Sequence, residues 1–257
     1  MKIDLDISSA EGYHSNSQIA RIITETWFAQ NMYCPACESD HLDRLQNNTK
    51  VLDFLCPSCA QKYQLKSKNG QFGNTVTNSE YYTKIAKLKS GESPNWALLS
   101  YSRQTLFVTD LYIIPSHFMT LEAVQPRKPL SPTARRAGWV GSNILLNRLP
   151  TDSRLYIIKN KREIEQSIVR AEWRRFEFLR AQHIERRRWL NDVLICIQAL
   201  KRKKFTLGDI YFYESQFGKQ HPENKHVRAK IRQQLQVLRD NGIIRFAGTG
   251  KYELIQK

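Results

Sequence analysis

The stretch KVLDFLCPSCAQKYQLKSK, residues 50–68, contains two short strand-like runs around a Cys-Pro-Ser-Cys turn. The two runs predict a β-hairpin with the cysteines at its tip. On the second strand the two-residue period places Gln64 and Lys66 on one face, and Asp53 is expected to face them from the first strand. With the helical patterns found elsewhere in the chain, this hairpin predicts a mixed α+β fold.

Four of the five cysteines form two CxxC pairs, Cys34 with Cys37 and Cys56 with Cys59. In a chain whose start lacks the order of a secretory signal, this pattern favours a zinc site over a disulfide framework. A redox CxxC motif is the alternative, but it does not explain two pairs. Because four thiolates complete a tetrahedral shell, the predicted Zn²⁺ is structural. The fifth cysteine, Cys196, is predicted to be a core residue of an amphipathic helix.

Asp53, Gln64 and Lys66 combine an acid, a second oxygen ligand and a lysine, as in metal-dependent phosphodiesterases of the PD-(D/E)xK type. The Asp53 carboxylate is a hard ligand for Mg²⁺, and the Gln64 side-chain oxygen and the Leu65 carbonyl oxygen can add neutral ones. The cation would polarise a scissile phosphate, while Lys66 positions and deprotonates the attacking water. Taken alone the pattern is weak, because a hairpin carrying an Asp and a Lys is common.

The 257-residue chain has a formal net charge of +16 and a hydrophobic fraction of 41%. This hydrophobic fraction is adequate for a buried core, so wholesale disorder is excluded. No apolar run approaches the length of a membrane span, and we expect a cytoplasmic protein without a membrane partner. The positive charge attracts polyanions, above all nucleic acid, although a solubilising surface is the alternative interpretation.

The sequence resembles the DpnI restriction endonuclease family along almost its whole length. The zinc knuckle between Asp53 and the strand of Lys66 carries part of the resemblance. The other matching motifs are SNSQ at 15–18, ARI at 20–22, TExW at 24–27, RKPLSPTARRAGW at 127–139, KIRQQLQVLRD at 230–240 and GTGKY at 248–252.

The resemblance implies a type II endonuclease that uses Mg²⁺ and cuts double-stranded DNA at GATC when the adenine carries an N6-methyl group. It places the catalytic acid and lysine at Asp53 and Lys66. A well-known member has Glu where this chain has Gln64, so one negative charge is lost and the affinity for Mg²⁺ is expected to fall. A non-cleaving, zinc-containing winged-helix regulator that reads methylated GATC is the alternative.

Two further features of the nuclease part are candidate functional elements. Residues 125–139 carry four basic residues and three prolines, which exclude a long helix and suit a loop along a DNA groove. The candidate contacts are Arg127, Lys128, Arg135, Arg136 and Trp139. With support from the resemblance, we expect Trp139 to meet the methyl group; a buried core tryptophan is the alternative. Glu25 is either a further acid near the metal or a solvent-facing residue.

From about residue 186 the pattern changes to three helices and a two-stranded wing, which predicts a winged helix. Thr206 suits an N-cap of the second helix. The third helix is predicted from about Asn224 to Asp240, and its exposed face offers the candidate base readers Lys225, Arg228, Arg232 and Gln233. Protein–protein contact is the alternative role of such a domain.

Together these patterns predict a catalytic domain over residues 1–183 and a DNA-binding domain over residues 184–257. The expected partner is double-stranded DNA that contains methylated GATC. We expect a monomer without an obligate protein partner, because no heptad or strong self-association stripe is present.

Overall fold

The computed structural model of the chain describes residues 1–46 and 52–255. They form two compact units, Met1–Arg148 with Ser153–Arg174 and Leu149–Asp152 with Arg175–Lys257. The boundary that the sequence suggests after residue 183 stays a prediction. In the described ranges, no helix combines the length and the apolar character needed to cross a membrane.

Helices and strands alternate irregularly along the chain, as expected for the predicted α+β class, which the structure confirms. The helices are α1 Asn16–Asn31, α2 Tyr81–Lys89, α3 Gln166–Phe176, α4 Ile184–Ala199, α5 Leu207–Tyr211, α6 Glu214–Gln220 and α7 Val227–Asp240. The strands are β1 Asp43–Arg44, β2 Phe54–Leu55, β3 Lys62–Asn69, β4 Thr75–Glu80, β5 Asn95–Ser102, β6 Phe107–Ile114, β7 Val124–Pro126, β8 Gly141–Leu145, β9 Leu155–Lys159, β10 Arg162–Glu163, β11 Lys204–Thr206, β12 Ile244–Gly248 and β13 Lys251–Leu254.

The first unit is built on a seven-stranded sheet with the strand order β1-β2-β3-β5-β6-β9-β10. Phe54 on β2 pairs antiparallel with Tyr63 on β3, so the predicted hairpin is present, with the second cysteine pair at its turn. The β3–β5 pair is parallel, with Gln64 opposite Trp96. A parallel pair needs a long crossover connection, and here β4 and α2 provide it.

The alternation of side chains along β3 separates two faces of this sheet. Tyr63 and Leu65 lie on the face that packs against α1, where the ring centroids of Phe28 and Phe54 are 4.7 Å apart. Gln64 and Lys66 therefore belong to the opposite face. The side chain of Lys84, on α2, reaches that opposite face.

Helix α2 packs on a second, three-stranded sheet with the order β4-β8-β7. The carboxylate of Glu80 accepts hydrogen bonds from the backbone N–H groups of Tyr82 and Thr83, and thereby caps the start of α2. The backbone N–H of Tyr81 donates to the carbonyl oxygen of Val140 at 2.9 Å. The crossover helix is thus tied directly to the residue before β8.

The second unit contains helices α4 to α7 and an antiparallel sheet of order β11-β13-β12, which is a winged-helix arrangement. Thr206 caps α5 as predicted, in a reciprocal capping box with Asp209. The predicted start of the third helix was wrong, because α7 begins at Val227. The Asn224 side-chain oxygen instead accepts from the backbone N–H of His226 at 2.8 Å and forms a turn before the helix. The sequence reading also missed α6.

Candidate active site and metal centre

The four paired cysteines meet in one cluster. The Sγ atoms of Cys34, Cys37, Cys56 and Cys59 all lie within 4.8 Å of one another, and no disulfide joins them. Sγ of Cys34 is 3.6 Å from Sγ of Cys59, and Sγ of Cys37 is 3.5 Å from Sγ of Cys56. Each short distance joins a cysteine of one pair to a cysteine of the other, as in a shell that surrounds a single ion.

Tight backbone turns present these sulfurs. The N–H of Cys34 donates to the carbonyl oxygen of Ser39 at 3.0 Å, and the N–H of Cys56 donates to that of Gln61 at 2.9 Å. Hydrogen bonds from the backbone N–H groups that follow Cys56 outweigh its burial and lower its pKa to about 7, whereas burial raises the pKa of Cys34 and Cys59. Four sulfurs at these distances could hold a tetrahedral Zn²⁺, whose binding releases the thiol protons.

Asp53, the residue just before β2, extends the contact of this strand with β3. The backbone N–H of Asp53 donates to the carbonyl oxygen of Tyr63 at 3.0 Å. One step further, Oδ2 of Asp53 accepts from the backbone N–H of Leu65 at 2.8 Å. The Asp53 side chain therefore bonds a backbone N–H of β3 that a partner strand would otherwise bond. This hydrogen bond holds the carboxylate next to β3.

Lys66 lies within electrostatic reach of this carboxylate. Burial raises the pKa of Asp53, and the charge of Lys66 is among the effects that oppose the rise. Burial lowers the pKa of Lys66, and the charge of Asp53 opposes that shift. In the described ranges no oxygen of Asp53 lies within 4.0 Å of Nζ of Lys66. The two charges are therefore close without forming a contact ion pair.

Gln64 contacts a residue that sequence analysis missed. Nζ of Lys84, on α2, donates to Oε1 of Gln64 at 3.4 Å and lies 4.4 Å from the ring centroid of Trp96. Lys84 is 0% exposed. Burial and the charges of neighbouring lysines, Lys66 first, lower its pKa to about 7. The available signal was its place in the helical stripe that includes buried Leu88, where an apolar residue is expected.

Glu25 also lies near Asp53, and it is half-buried. Its Oε2 accepts from Nη2 of Arg44 at 2.6 Å. Burial raises the pKa of Glu25, and the charges of Arg44 and Arg21 oppose the rise. The same two arginines act on Asp53. The site thus contains three cations from different elements in addition to Lys84.

The basic segment forms the connection between β7 and β8, and it has no long helix. Arg127, Lys128, Arg135 and Arg136 are exposed. Trp139 is half-buried, with the Arg136 guanidinium 5.0 Å from its ring centroid. A Cβ atom on Gly141 would lie 2.9 Å from this ring. Among the described residues, Nε1 of Trp139 has no hydrogen-bond partner. Trp139, with Arg136 and Gly141 close to its ring, is therefore neither a fully buried core residue nor a free surface residue.

The candidate readers of the second unit are exposed, but three of them already have partners within the unit. Arg228 forms an ion pair with Glu214 at 2.8 Å and stacks over Tyr211. Nη1 of Arg232 donates to the Tyr211 hydroxyl at 2.8 Å. The remaining two are Lys225, which precedes α7, and Gln233, whose Oε1 accepts from Gln234. Lys225 is therefore not on the helix face where we expected it.

Comparison with protein families gives two matches. A family model described as the Dam-replacing family, DpnI, matches residues 1–182. A second model, described as the Dam-replacing HTH domain, matches residues 185–254. The two matches run in order along almost the whole chain, and an HTH domain points to DNA as the partner.

Proposed function

This chain belongs to the Dam-replacing family, and we propose on that premise that it is a methyl-directed type II endonuclease. It would cleave double-stranded DNA at GATC sites with N6-methyladenine by Mg²⁺-dependent hydrolysis of a phosphodiester. The membership supports a restriction endonuclease in general. The finer assignment rests on the site formed by Asp53, just before β2, and by Gln64 and Lys66 on β3.

One observation carries the proposal: a half-buried carboxylate, Asp53, and a half-buried lysine, Lys66, lie close together without touching. Burying two opposite charges without direct contact is costly, and such arrangements are concentrated at functional sites. An acid and a lysine on neighbouring strands are the defining pair of the PD-(D/E)xK nucleases. We therefore assign the first unit to that nuclease class.

The donor set at this edge fits a hard divalent cation. Asp53 offers an anionic oxygen, and Gln64 offers an amide oxygen from the same side of the site. The Leu65 carbonyl leaves β3 on the side of its N–H, which bonds Asp53. When bound, Mg²⁺ would polarise the scissile phosphate and stabilise its developing charge. Loss of an acidic ligand at residue 64 weakens the set but does not remove it.

The residues of the chain itself then have separate roles. In its neutral amine form, which burial favours by lowering its pKa, Lys66 would hold the attacking water and take its proton as the water oxygen bonds to phosphorus. One P–O ester bond breaks in this step, and the leaving oxygen takes a proton from solvent. The hydrogen bond from the backbone N–H of Leu65 holds the Asp53 carboxylate beside the other oxygen ligands. The Cys₄ group, with Zn²⁺ bound, fixes the hairpin that carries both residues, and it has no open position for a substrate.

Sequence recognition is assigned to the β7–β8 connection and to the second unit. A methyl group offers only dispersion and desolvation, so its reader needs an apolar surface, and Trp139 provides one between Arg127 and Arg136. The candidate base readers of a second, separate site are Lys225, just before α7, and Arg228, Arg232 and Gln233 on α7. We propose residues 1–183 as the nuclease domain, residues 184–257 as the reader, and a monomer as the working form.

Incubation with Mg²⁺ and plasmids of both methylation states tests the proposal. We expect GATC-spaced fragments from the adenine-methylated plasmid and intact unmethylated plasmid. Asp53→Asn should abolish cleavage, whereas Asp43→Asn, which changes an exposed acid on β1, should not. Intact DNA of both kinds at every Mg²⁺ concentration would exclude the nuclease.

A specific contact favours a second candidate, the non-cleaving regulator. The amide oxygen that would bind Mg²⁺ is already engaged by Lys84 at 3.4 Å. If this contact excludes the cation, the protein would bind methylated GATC through the same surfaces without cutting it. Tight, methyl-dependent binding of a duplex without any cleavage would identify this case.

A further inference from the structure

Lys84 is a buried ammonium that neither the fold nor the proposed chemistry accounts for. Its side chain extends from α2 onto the face of β3 and β5, between Gln64 and Trp96. In the described ranges no carboxylate oxygen lies within 4.0 Å of its Nζ. Buried charges are normally paired, because the desolvation of an unpaired one is costly. A methionine or leucine would fill this space at lower cost.

The charges around Asp53 are unusual for a cation site. Two carboxylates, Asp53 and Glu25, face four cations in this region, and the cations come from four different elements or loops. The cations are Arg21 on α1, Arg44 on β1, Lys66 on β3 and Lys84 on α2. With all groups charged, the site has a net positive charge before any ligand arrives. Such a site repels a divalent cation and attracts a phosphodiester.

Lys84 opposes the metal in a second way, through Gln64. The Oε1 atom that would coordinate the cation accepts a hydrogen bond from Nζ of Lys84. An amide oxygen that accepts from an ammonium is a poorer ligand, because its electron density is already drawn toward a positive charge. Both effects lower the affinity for a cation at the site of Asp53 and Gln64.

Resting on the proposed nuclease function, we propose that Lys84 makes binding of the divalent cation dependent on DNA. It is a positioning residue, which holds the oxygen of Gln64 and keeps the site too positive for the metal until a phosphodiester enters. The negative charge of the phosphate then offsets the positive charge of Lys84, and Asp53 and Gln64 would then hold the cation. A free enzyme would therefore carry Zn²⁺ but no second metal.

The test measures Mn²⁺ binding to the full-length, zinc-loaded protein at pH 6.5 by electron paramagnetic resonance, without DNA. We expect Lys84→Met to bind Mn²⁺ at least tenfold more tightly than the wild type. Lys89→Met is the matched control, because it removes an exposed charge from the end of the same helix and should leave the affinity unchanged. Lys84→Gln is the second variant, which keeps a polar end but no charge, and it should also bind more tightly.

The second arm measures the Mn²⁺ concentration that gives half-maximal cleavage of methylated plasmid. With DNA present, we expect the wild type and Lys84→Met to differ by less than about threefold, since the phosphate already compensates the lysine. A merely structural lysine would change both arms together or neither, and either result would overturn the inference.

The two arms also separate the inference from the function on which it rests. Cleavage by a wild type whose Mn²⁺ affinity without DNA equals that of Lys84→Met would overturn the role of Lys84 and leave the nuclease standing. Absence of both cleavage and Mn²⁺ binding in every variant would overturn both proposals.

Discussion

The hydroxyl oxygen of Tyr63 lies 3.2 Å from Sγ of Cys34. Tyr63 is fully buried and directly precedes Gln64 on β3, so the cysteine cluster is in contact with the strand of the candidate site. The hairpin, the cluster and the site residues consequently form one packed unit. Loss of the cluster should therefore disturb the fold and the nuclease site together.

Zinc removal gives the first prediction. Cys59→Ser should reduce the zinc content from about one ion per chain to near zero and destabilise the first unit strongly. Structural zinc supplies on the order of 10 kcal/mol of binding free energy in small domains. Zinc analysis of purified protein and thermal unfolding measure the two effects. Cys196→Ala, which changes the buried thiol of α4, should retain the zinc; equal loss of zinc in both variants would contradict the assignment.

Asp53→Asn should separate activity from stability. Because the folded state raises the pKa of Asp53 through burial, its ionised carboxylate destabilises the fold at neutral pH. The amide should therefore raise the free energy of unfolding by about 1 kcal/mol while cleavage falls at least a thousandfold, roughly the loss expected from a catalytic metal ligand. Denaturant unfolding and plasmid cleavage provide the measurements. A variant that is both inactive and much less stable would indicate a structural role instead.

Lys84 predicts a distinct dependence of stability on pH. Its pKa in the fold is lowered to about 7 from the ordinary lysine value of 10.5, so between these values the unfolded chain binds a proton there that the folded chain does not. Between these two values stability should rise with pH, by about 1.4 kcal/mol per unit relative to Lys84→Met. Below pH 7 the two proteins should differ by a constant amount. Denaturant unfolding from pH 6 to 10 checks the sign, and parallel curves throughout that range would refute it.

Gln64→Glu should lower the Mg²⁺ concentration needed for half-maximal cleavage by about tenfold, because it adds a negative ligand to the site. The new carboxylate would also lie next to Lys84 and form a buried ion pair with it. The effects of Gln64→Glu and Lys84→Met should therefore be non-additive in a double-mutant cycle. Additive effects would show that the two side chains act on the cation independently.

Gly141→Ala should impair recognition of the methyl group without affecting the metal sites. The added Cβ would lie 2.9 Å from the Trp139 ring, so the ring must move from its position beside Arg127. We expect the ratio of methylated to unmethylated binding to fall roughly tenfold, as for the loss of a well-placed apolar contact. Gly73→Ala is the control, since nothing lies within 4 Å of a Cβ built there. An unchanged ratio would remove Trp139 from consideration as the methyl reader.

The sequence predicted the parts of the first unit whose signals are local. The hairpin of β2 and β3 and the meeting of four cysteines follow from the spacing of residues 50–68 and of the CxxC pairs. Lys84 was missed because its partner Gln64 is 20 positions away in sequence, and no local pattern links a lysine on a helix to a strand. The tertiary fold, which places α2 so that its Lys84 side chain reaches Gln64 on β3 and Trp96 on β5, creates that contact.

In the second unit, the apolar spacing predicted three of the helices, and the Thr206 cap fixed the start of α5. The short helix α6 has little apolar periodicity, with buried Phe217 as its anchor, so it could not be recognised from spacing. The start of α7 was placed too early because the polar turn at Asn224 also resembles a helix start. A side-chain hydrogen bond, which the sequence pattern does not reveal, decides between the two.

The parallel pairing of β3 with β5 has a consequence for how the protein is made. All four paired cysteines lie within the first 59 of 257 residues, so the knuckle can leave the ribosome and acquire zinc while the rest of the chain is still being translated. The pocket of Lys66 and Lys84 needs the crossover through β4 and α2 and then β5, a non-local closure that is intrinsically slower. The nascent chain should thus be able to bind zinc before the candidate site around Lys66 and Lys84 is assembled.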